Sequence, residues 1–456
     1  MDAIFNVLSP IFWGVILLST LVFLHEGGHF LAARACGVRV TEFFLGLPCR
    51  FNLSHQSSRI GTRFGVTPVL LGGYAAICGM DPEEAPHAEE VLGAIYRHGT
   101  VSVDAMADEL ALEPDVVLEA CVFLLNMGSV APVYDTSKGE SPSSKYYPST
   151  YAALPRDAAG LTIYDGRSFD RAHATKQGEP WEAAPSDAEF LTCERSHTYM
   201  GVGFWKRAFM LVAGIVVNVL VGFLLLVSVY SVLGIQAVSD VNVISAVTEG
   251  SPAQKVGLSA GDTITSINGE KTESWGEILS AIQAAAETPE ASVAITFEHE
   301  GERRSGSVEL DKNGSLGVSA TTRTVRLGLA EAARMSVAYI AQTAQSVASL
   351  LVPQHTMEVI NNSTSVVGIS VMSAQAASAG PSTFLSLAAL ISFSLGFMNL
   401  LPIPPLDGGK LLLEAIQALT RRKLSVRFQT VVSFVGIALF GLLFIYMLGA
   451  DILRLF

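Results

Sequence analysis

Two histidines four residues apart flank a glutamate in the run Phe23-Leu24-His25-Glu26-Gly27-Gly28-His29. On a helix, residues at that spacing share a face, so His25 and His29 point the same way. Two neutral imidazoles so placed can hold Zn²⁺, and the glutamate between them, Glu26, can activate a water on the metal. The setting is apolar. From Ile11 to Leu24 only Ser19 and Thr20 are polar, and the helix is expected to continue to about Cys36, long enough to cross a bilayer. In a soluble helix the bland reading, a chance motif at a buried helix end, would carry weight. Inside a span it loses ground, because ionisable groups there are costly and mark function by default.

A catalytic zinc needs a third protein ligand and an open position. The candidate is Asp407, in Met398-Asn399-Leu400-Leu401-Pro402-Ile403-Pro404-Pro405-Leu406-Asp407-Gly408-Gly409. Taken alone, Asp407 reads as the N-cap of a helix over 410–419. Beside a membrane His-Glu-x-x-His it reads as a ligand, since both motifs fall near the cytoplasmic ends of their spans.

These residues must be positioned by a membrane protein. Half of the 456 residues are hydrophobic and 16% are charged, a membrane composition. Four spans are expected: the first through the histidines, then 208–233, 384–401 and 431–448. No charged leader or cleavage site precedes the first, which reads as a retained span. Arg34, Arg39, Arg50, Arg59 and Arg63 follow the first span, and Arg421, Arg422, Lys423 and Arg427 precede the fourth. Both flanks mark the cytoplasmic side, which puts both termini outside. Residues 62–80 read as a hairpin leading into Gly72-Gly73-Tyr74, apolar enough to lie on the membrane and to offer an edge strand to a peptide.

Between Asp81 and His197 stand 21 acidic and 8 basic residues, an excess equal to the whole net charge of −13. A nucleic-acid partner is therefore not expected; a basic cytoplasmic partner is. Residues 87–134 read as a small winged-helix-like module whose third helix is too acidic for DNA, and 136–196, rich in Ser, Pro, Gly and Asp, as flexible linker. Five cysteines at irregular spacing argue against a disulfide framework. Residues 236–323 have soluble composition. Residues 324–380 read as an amphipathic, interfacial segment. The organisation is thus 1–80, the insert 81–197, the second span within 198–235, the soluble module 236–323, the segment 324–380, and the last two spans in 381–456.

With both motifs in view, the chain resembles the site-2 proteases, intramembrane zinc metalloproteases, of the bacterial kind that carries an extracytoplasmic PDZ domain. His25 to His29 and Asn399 to Gly409 match that family's two signature motifs, and Gly72-Gly73-Tyr74 its membrane-associated hairpin. Phe204-Trp205-Lys206-Arg207 through Asn218 resembles the start of its second span, Ser365 to Ile369 the stretch before its third, and Gly250 to Glu270 a PDZ core. The likeness implies a polytopic α-helical fold in the cell membrane, Zn²⁺ held by His25, His29 and Asp407, and Glu26 as general base. It implies hydrolysis of an unwound membrane span, from a single-span protein or a signal-peptide remnant, held extended by Gly72, Gly73 and Tyr74 and by the Asn399, Pro402 and Pro404 loop. A PDZ groove is placed by the likeness at Leu316, Gly317 and Val318, against a helix over 275–285, where it filters substrates by size. Ile215 departs from the family's usual proline, and one PDZ-like module stands where enterobacterial members have two. The insert lies outside the likeness. The rival from another class is a non-proteolytic adaptor on a degenerate protease fold, against which the intact Glu26 speaks. A zinc transporter would need polar groups along spans two and four, which lack them.

Overall fold

The structure, a computed structural model, describes residues 2–80, 84–141, 147–182, 186–286, 292–311, 314–354, 356–357, 364–422 and 424–455, so that Lys423 of the second basic flank lies outside the described residues. The chain divides into two compact units, one of Met1–Leu225 with Met335–Phe456 and one of Leu226–Arg334.

In the first unit, α1 (Asp2–Ala35) carries the histidine motif and leads into a four-stranded sheet. The strands are β1 (Val40–Leu45), β2 (Leu53–Gln56), β3 (Arg63–Val66) and β4 (Gly73–Ile77), in the order β2-β3-β1-β4. This corrects the expected hairpin. β3 and β4 do not pair with each other, because β1 lies between them, parallel to β3 and antiparallel to β4. The reason is packing: Phe43 and Phe44 of β1 are buried and take the central position, which leaves β4 as the sheet edge.

The acidic insert follows as α2 (Ala88–His98), β5 (Thr100–Ser102), α3 (Val103–Leu110), α4 (Pro114–Asn126), β6 (Val130–Val133), β7 (Thr150–Ala153) and α5 (Asp187–Ser196). Its three strands form a sheet in the order β5-β7-β6. The three expected helices are there, with Val91, Leu92, Ile95, Met106, Val117, Cys121 and Leu124 in one core. Ser102 caps α3 by accepting from the Ala105 N–H, and Pro114 occupies the first turn of α4.

The expected linker over 136–196 is corrected, since its described residues are folded against the rest. Tyr151, Phe190 and Leu191 join the insert's core. Arg156 donates to both oxygens of Glu194 at 2.7 and 2.8 Å. Glu194 in turn receives Arg39 at 2.7 Å, and Arg39 also forks onto Asp165 at 2.9 Å through each of two nitrogens. Arg39, Arg156 and Glu194 are each only 1% exposed. Burial works to raise the Glu194 carboxyl, but the two guanidinium groups hold it well below the usual carboxylate range. A buried pair broken by removing one partner costs about 3–5 kcal/mol; polar composition alone did not reveal this. Arg34 donates to the Tyr164 carbonyl and Arg63 pairs with Glu42. Three of the five arginines read as a membrane flank thus also hold protein contacts.

After the insert come α6 (Phe204–Ser228) and, beyond the second unit, α9 (Leu329–Ala348), α10 (Val366–Ala379), α11 (Pro381–Leu400), α12 (Asp407–Thr420) and α13 (Val426–Leu455). Among the described residues, four helical stretches are long and apolar enough to cross a membrane: Leu8–Ala35, Phe204–Leu233, Pro381–Leu400 and Val426–Asp451. Exposed apolar side chains on α13, Phe434, Val435 and Leu442 among them, suit a lipid-facing surface. Within the segment read as interfacial, α10 is instead an apolar helix packed on α1, where Gly14 leaves room for Ser370, as small residues do between membrane helices.

The second unit holds β8 (Ile235–Val238), β9 (Ile244–Val247), α7 (Pro252–Val256), β10 (Thr263–Ile267), β11 (Glu270–Lys271), α8 (Trp275–Ala286), β12 (Ser292–His299), β13 (Glu302–Glu309), β14 (Val318–Ala320) and β15 (Thr322–Val325). A sheet in the order β11-β10-β12-β13 and a pair β14-β9 surround a core of Ile244, Leu258, Ile264, Ile278, Val293, Phe297 and Leu316. The Leu316 side chain is therefore part of the core, and Gly317, at φ +81°, precedes the strand that begins at Val318.

Candidate metal centre

The α1 helix places His25 and His29 one turn apart, both buried. Asp407 comes from the first turn of α12, where Leu406 is the N-cap residue and no side chain caps the helix. The capping reading of Asp407 therefore fails, and its carboxylate turns to the histidines. Asp407 Oδ2 lies 3.1 Å from His25 Nε2 and 3.2 Å from His29 Nε2, and the two Nε2 atoms are 3.2 Å apart. A metal held about 2.0–2.1 Å from each donor in tetrahedral geometry needs its donors about 3.3 Å apart. The triangle has that size.

The protons say the same. His29 Nδ1 is 2.7 Å from the Met210 carbonyl, which can only accept, so Nδ1 carries the hydrogen and Nε2 of the neutral ring presents a lone pair. His25 Nδ1 is 3.1 Å from the side-chain amide of Asn218, whose Oδ1 is buried and otherwise without a partner. Turning that amide end for end lets Oδ1 accept from Nδ1–H. Then His25 Nε2 is also a lone pair, and with the carboxylate three acceptors converge with no proton between them. Such a pocket calls for a cation.

Helix α6 was not expected to shape this centre. Gly214 and Asn218, four residues apart, share a face that meets the histidines. A methyl at Gly214 would overlap His29 Nε2 and lie 2.8 Å from His25 Cε1, and one at Gly28 would lie 2.6 Å from the Ala213 carbonyl oxygen. Ser392 of α11 donates to the Asn218 carbonyl at 2.8 Å, and Arg207 pairs with Glu414 of α12 at 3.2 Å, tying the helices that carry the site. The sequence signal was there as Gly-x-x-x-Asn on one helix face. Replacing Asn218 by Leu, similar in size but no acceptor, is expected to lower zinc affinity about 10- to 100-fold, as loss of a histidine's outer partner does, with the fold retained. Titration against a competing chelator measures it; unchanged affinity would remove Asn218 from the site.

Glu26 lies beside β4, where a methyl at Gly73 would stand 3.9 Å from its Cγ. Among the described residues no hydrogen bond fixes its carboxylate, which leaves it free to take a proton. Gly72, at φ +143°, precedes β4, while Tyr74 stacks on Phe44 and donates to Glu42 at 2.7 Å. Asn399 donates to the Leu395 carbonyl at 3.0 Å, within its own helix. Pro402 is exposed, and the Pro404 carbonyl packs where Gly436 lacks a side chain. Asn399 thus ends α11, and Pro402 and Pro404 lie on the loop between it and Asp407.

The sequence model described as "Peptidase family M50" matches residues 13–443. The regulator of sigma-W protease RasP of Bacillus subtilis (strain 168) is 27% identical over 454 residues, 97% of this chain and 98% of that protein. The zinc metalloprotease RasP of Geobacillus kaustophilus (strain HTA426) is 26% identical over 453 residues, 97% of each. Among solved structures, the PDZ domain of the SdrC-like protein from Listeria monocytogenes is similar at 25% identity and TM-score 0.16, covering 19% of this chain and 94% of that one.

Proposed function

This chain belongs to peptidase family M50, and from that premise we propose how its residues divide the work of an intramembrane zinc metalloprotease. The enzyme is a zinc metalloprotease of the site-2 kind, a multi-pass membrane protein with membrane-protein substrates in regulated intramembrane proteolysis. The observation that carries the assignment is the triangle of unprotonated donors from His25, His29 and Asp407 beside an unengaged Glu26. When bound there, zinc supplies Lewis acidity, which polarises the scissile carbonyl and draws a water's pKa towards neutrality. His25, His29 and Asp407 hold it, and Asn218 and the Met210 carbonyl fix the rings. Glu26 takes the proton of the attacking water and returns it to the leaving amine. A helical substrate hides its carbonyls in its own hydrogen bonds and must be opened first. β4 offers its free edge for strand pairing beside Glu26, and Asn399, released from Leu395, adds an amide to the opened strand. The test is cleavage of a model span by the purified chain: a chelator should abolish it, and added Zn²⁺ restore it.

The likeness to a sigma-W regulator protease supports the span of a membrane-bound regulator, such as an anti-sigma factor, or a signal-peptide remnant as substrate. The topology of the insert, with three helices and a β5-β7-β6 sheet, supports a winged-helix-like module. Its acidic charge supports a basic partner. We read the second unit as a PDZ domain with its peptide site at Gly317 and Val318.

The basic residues after the first span and before the fourth support a cytoplasmic insert and an extracytoplasmic PDZ unit. Cys193, on α5 of the insert, is exposed, whereas Cys78 and Cys121 are buried, with thiols that burial pushes up to about 12. An impermeant maleimide is therefore expected to leave Cys193 unlabelled in intact cells and to label it once the membrane is opened. Labelling of intact cells at Cys193 would reverse the topology.

A further inference from the structure

Basic residues from three helices gather where the second span begins. Arg195 stands in the last turn of α5, Arg207 in the first turn of α6, and Arg421 and Arg422 directly follow α12. All four line one cavity of about 420 Å³, the size of a small-molecule site. Like charges around one space repel unless anions lie among them, and the chain supplies few. Arg207 pairs with Glu414 at 3.2 Å. Glu84 is the cavity's one carboxylate among the described residues, and none of these pairs with Arg195, Arg421 or Arg422. Arg195 instead lies over the Phe123 ring, 5.8 Å from its centre. Its Nε, like that of Arg207, is buried without a hydrogen-bond acceptor among the described residues. Guanidinium forks in want of an anion suit a phosphate group.

The setting says which phosphate. Phe204, where a stretch long and apolar enough to cross a membrane begins, lines the same cavity. Beside it Trp205 is 82% exposed, and Phe209, one turn on and on the same face, is exposed too. Leu419, near the end of α12, is 85% exposed. Bare aromatic and aliphatic side chains at a span's end belong at the headgroup level of a bilayer. A free phosphate makes no use of them, whereas the chains of a lipid do. We propose that this cavity receives the phosphate of an anionic phospholipid, held by Arg195, Arg421 and Arg422. A lipid seated there joins α5 of the insert to α6 and to α12, the helix that supplies Asp407. Basic pockets between membrane helices bind anionic headgroups in this way. The inference rests on α6 as a membrane span and is independent of the protease reading.

Phosphatidylglycerol is titrated onto the purified full-length chain in neutral detergent, and the lipid-bound fraction is read by native mass spectrometry. It is expected to bind about 10- to 30-fold tighter than phosphatidylcholine, the scale of two basic contacts to an anionic lipid. Arg421→Gln with Arg422→Gln should erase most of that preference, and Arg195→Gln alone should lower it severalfold, with phosphatidylcholine binding unchanged. The control is Lys206→Gln with Arg427→Gln. It removes the same charge from exposed positions at the starts of two spans, neither of which lines the cavity, and should keep the preference. Equal binding of the two lipids, a preference that survives the cavity substitutions, or an equal loss in the control would overturn the proposal. Inorganic phosphate at the lipid's concentration should leave lipid binding unchanged; displacement of the lipid by it would make this a free-phosphate site and overturn the lipid assignment.

Discussion

Glu26→Gln is expected to lower kcat by about 10²–10⁴-fold, the range general acid–base catalysis contributes, while the chain keeps its zinc. The side chain loses only the ability to take a proton. It is not one of the three donors, whose contacts run among His25, His29 and Asp407, so metal affinity should not follow activity down. The amide is similar in size and shape to the carboxylate, so the approach of β4 at Gly73 should persist and substrate affinity should change little. Measuring kcat and KM on a model span, with zinc content on the same preparation, separates the roles. Loss of zinc together with activity would move Glu26 from base to ligand. Full activity would leave the proposed mechanism without its proton acceptor.

The second large effect lies on a helix that contributes no ligand. Gly214→Ala is expected to lower zinc affinity by about 100-fold or more, since its methyl would overlap His29 Nε2, an atom of the donor triangle, and press on His25. The control is within the motif itself. At Gly27 the nearest atom to an added methyl is Phe43 Cζ, at 3.8 Å, an ordinary contact. Gly27→Ala should therefore bind zinc normally and gain up to about 1 kcal/mol of helix propensity. Zinc titrations of the two variants compare the same chemical change at two glycines. Similar affinities would mean that α6 does not confine the centre.

The donor residues were legible because each motif carries its own spacing: four residues on α1, and a fixed run before a helix on α12. The spans were legible for the same local reason. What escaped depended on distant partners. The stretch over 62–80 reads as a hairpin in sequence because β1, which lies between β3 and β4 in the sheet, stands some twenty residues before β3 in the chain. The 136–196 stretch looked like linker because its few apolar residues join a core made elsewhere, and its charges are consumed by Arg39, 155 residues from Glu194. Gly214 and Asn218 sat in an apolar span where a glycine and an amide four residues apart could have been noticed. Their use is clear only with α1 opposite.

The central claim is that His25, His29 and Asp407 together form one zinc site. The most direct measurement is the zinc content of the purified full-length chain and of its Asp407→Ala variant, by elemental analysis after exchange into metal-free buffer. The account predicts one zinc per chain for the parent and close to none for the variant, because two imidazoles alone leave a catalytic site short of its third ligand. Full zinc occupancy in purified Asp407→Ala would contradict it.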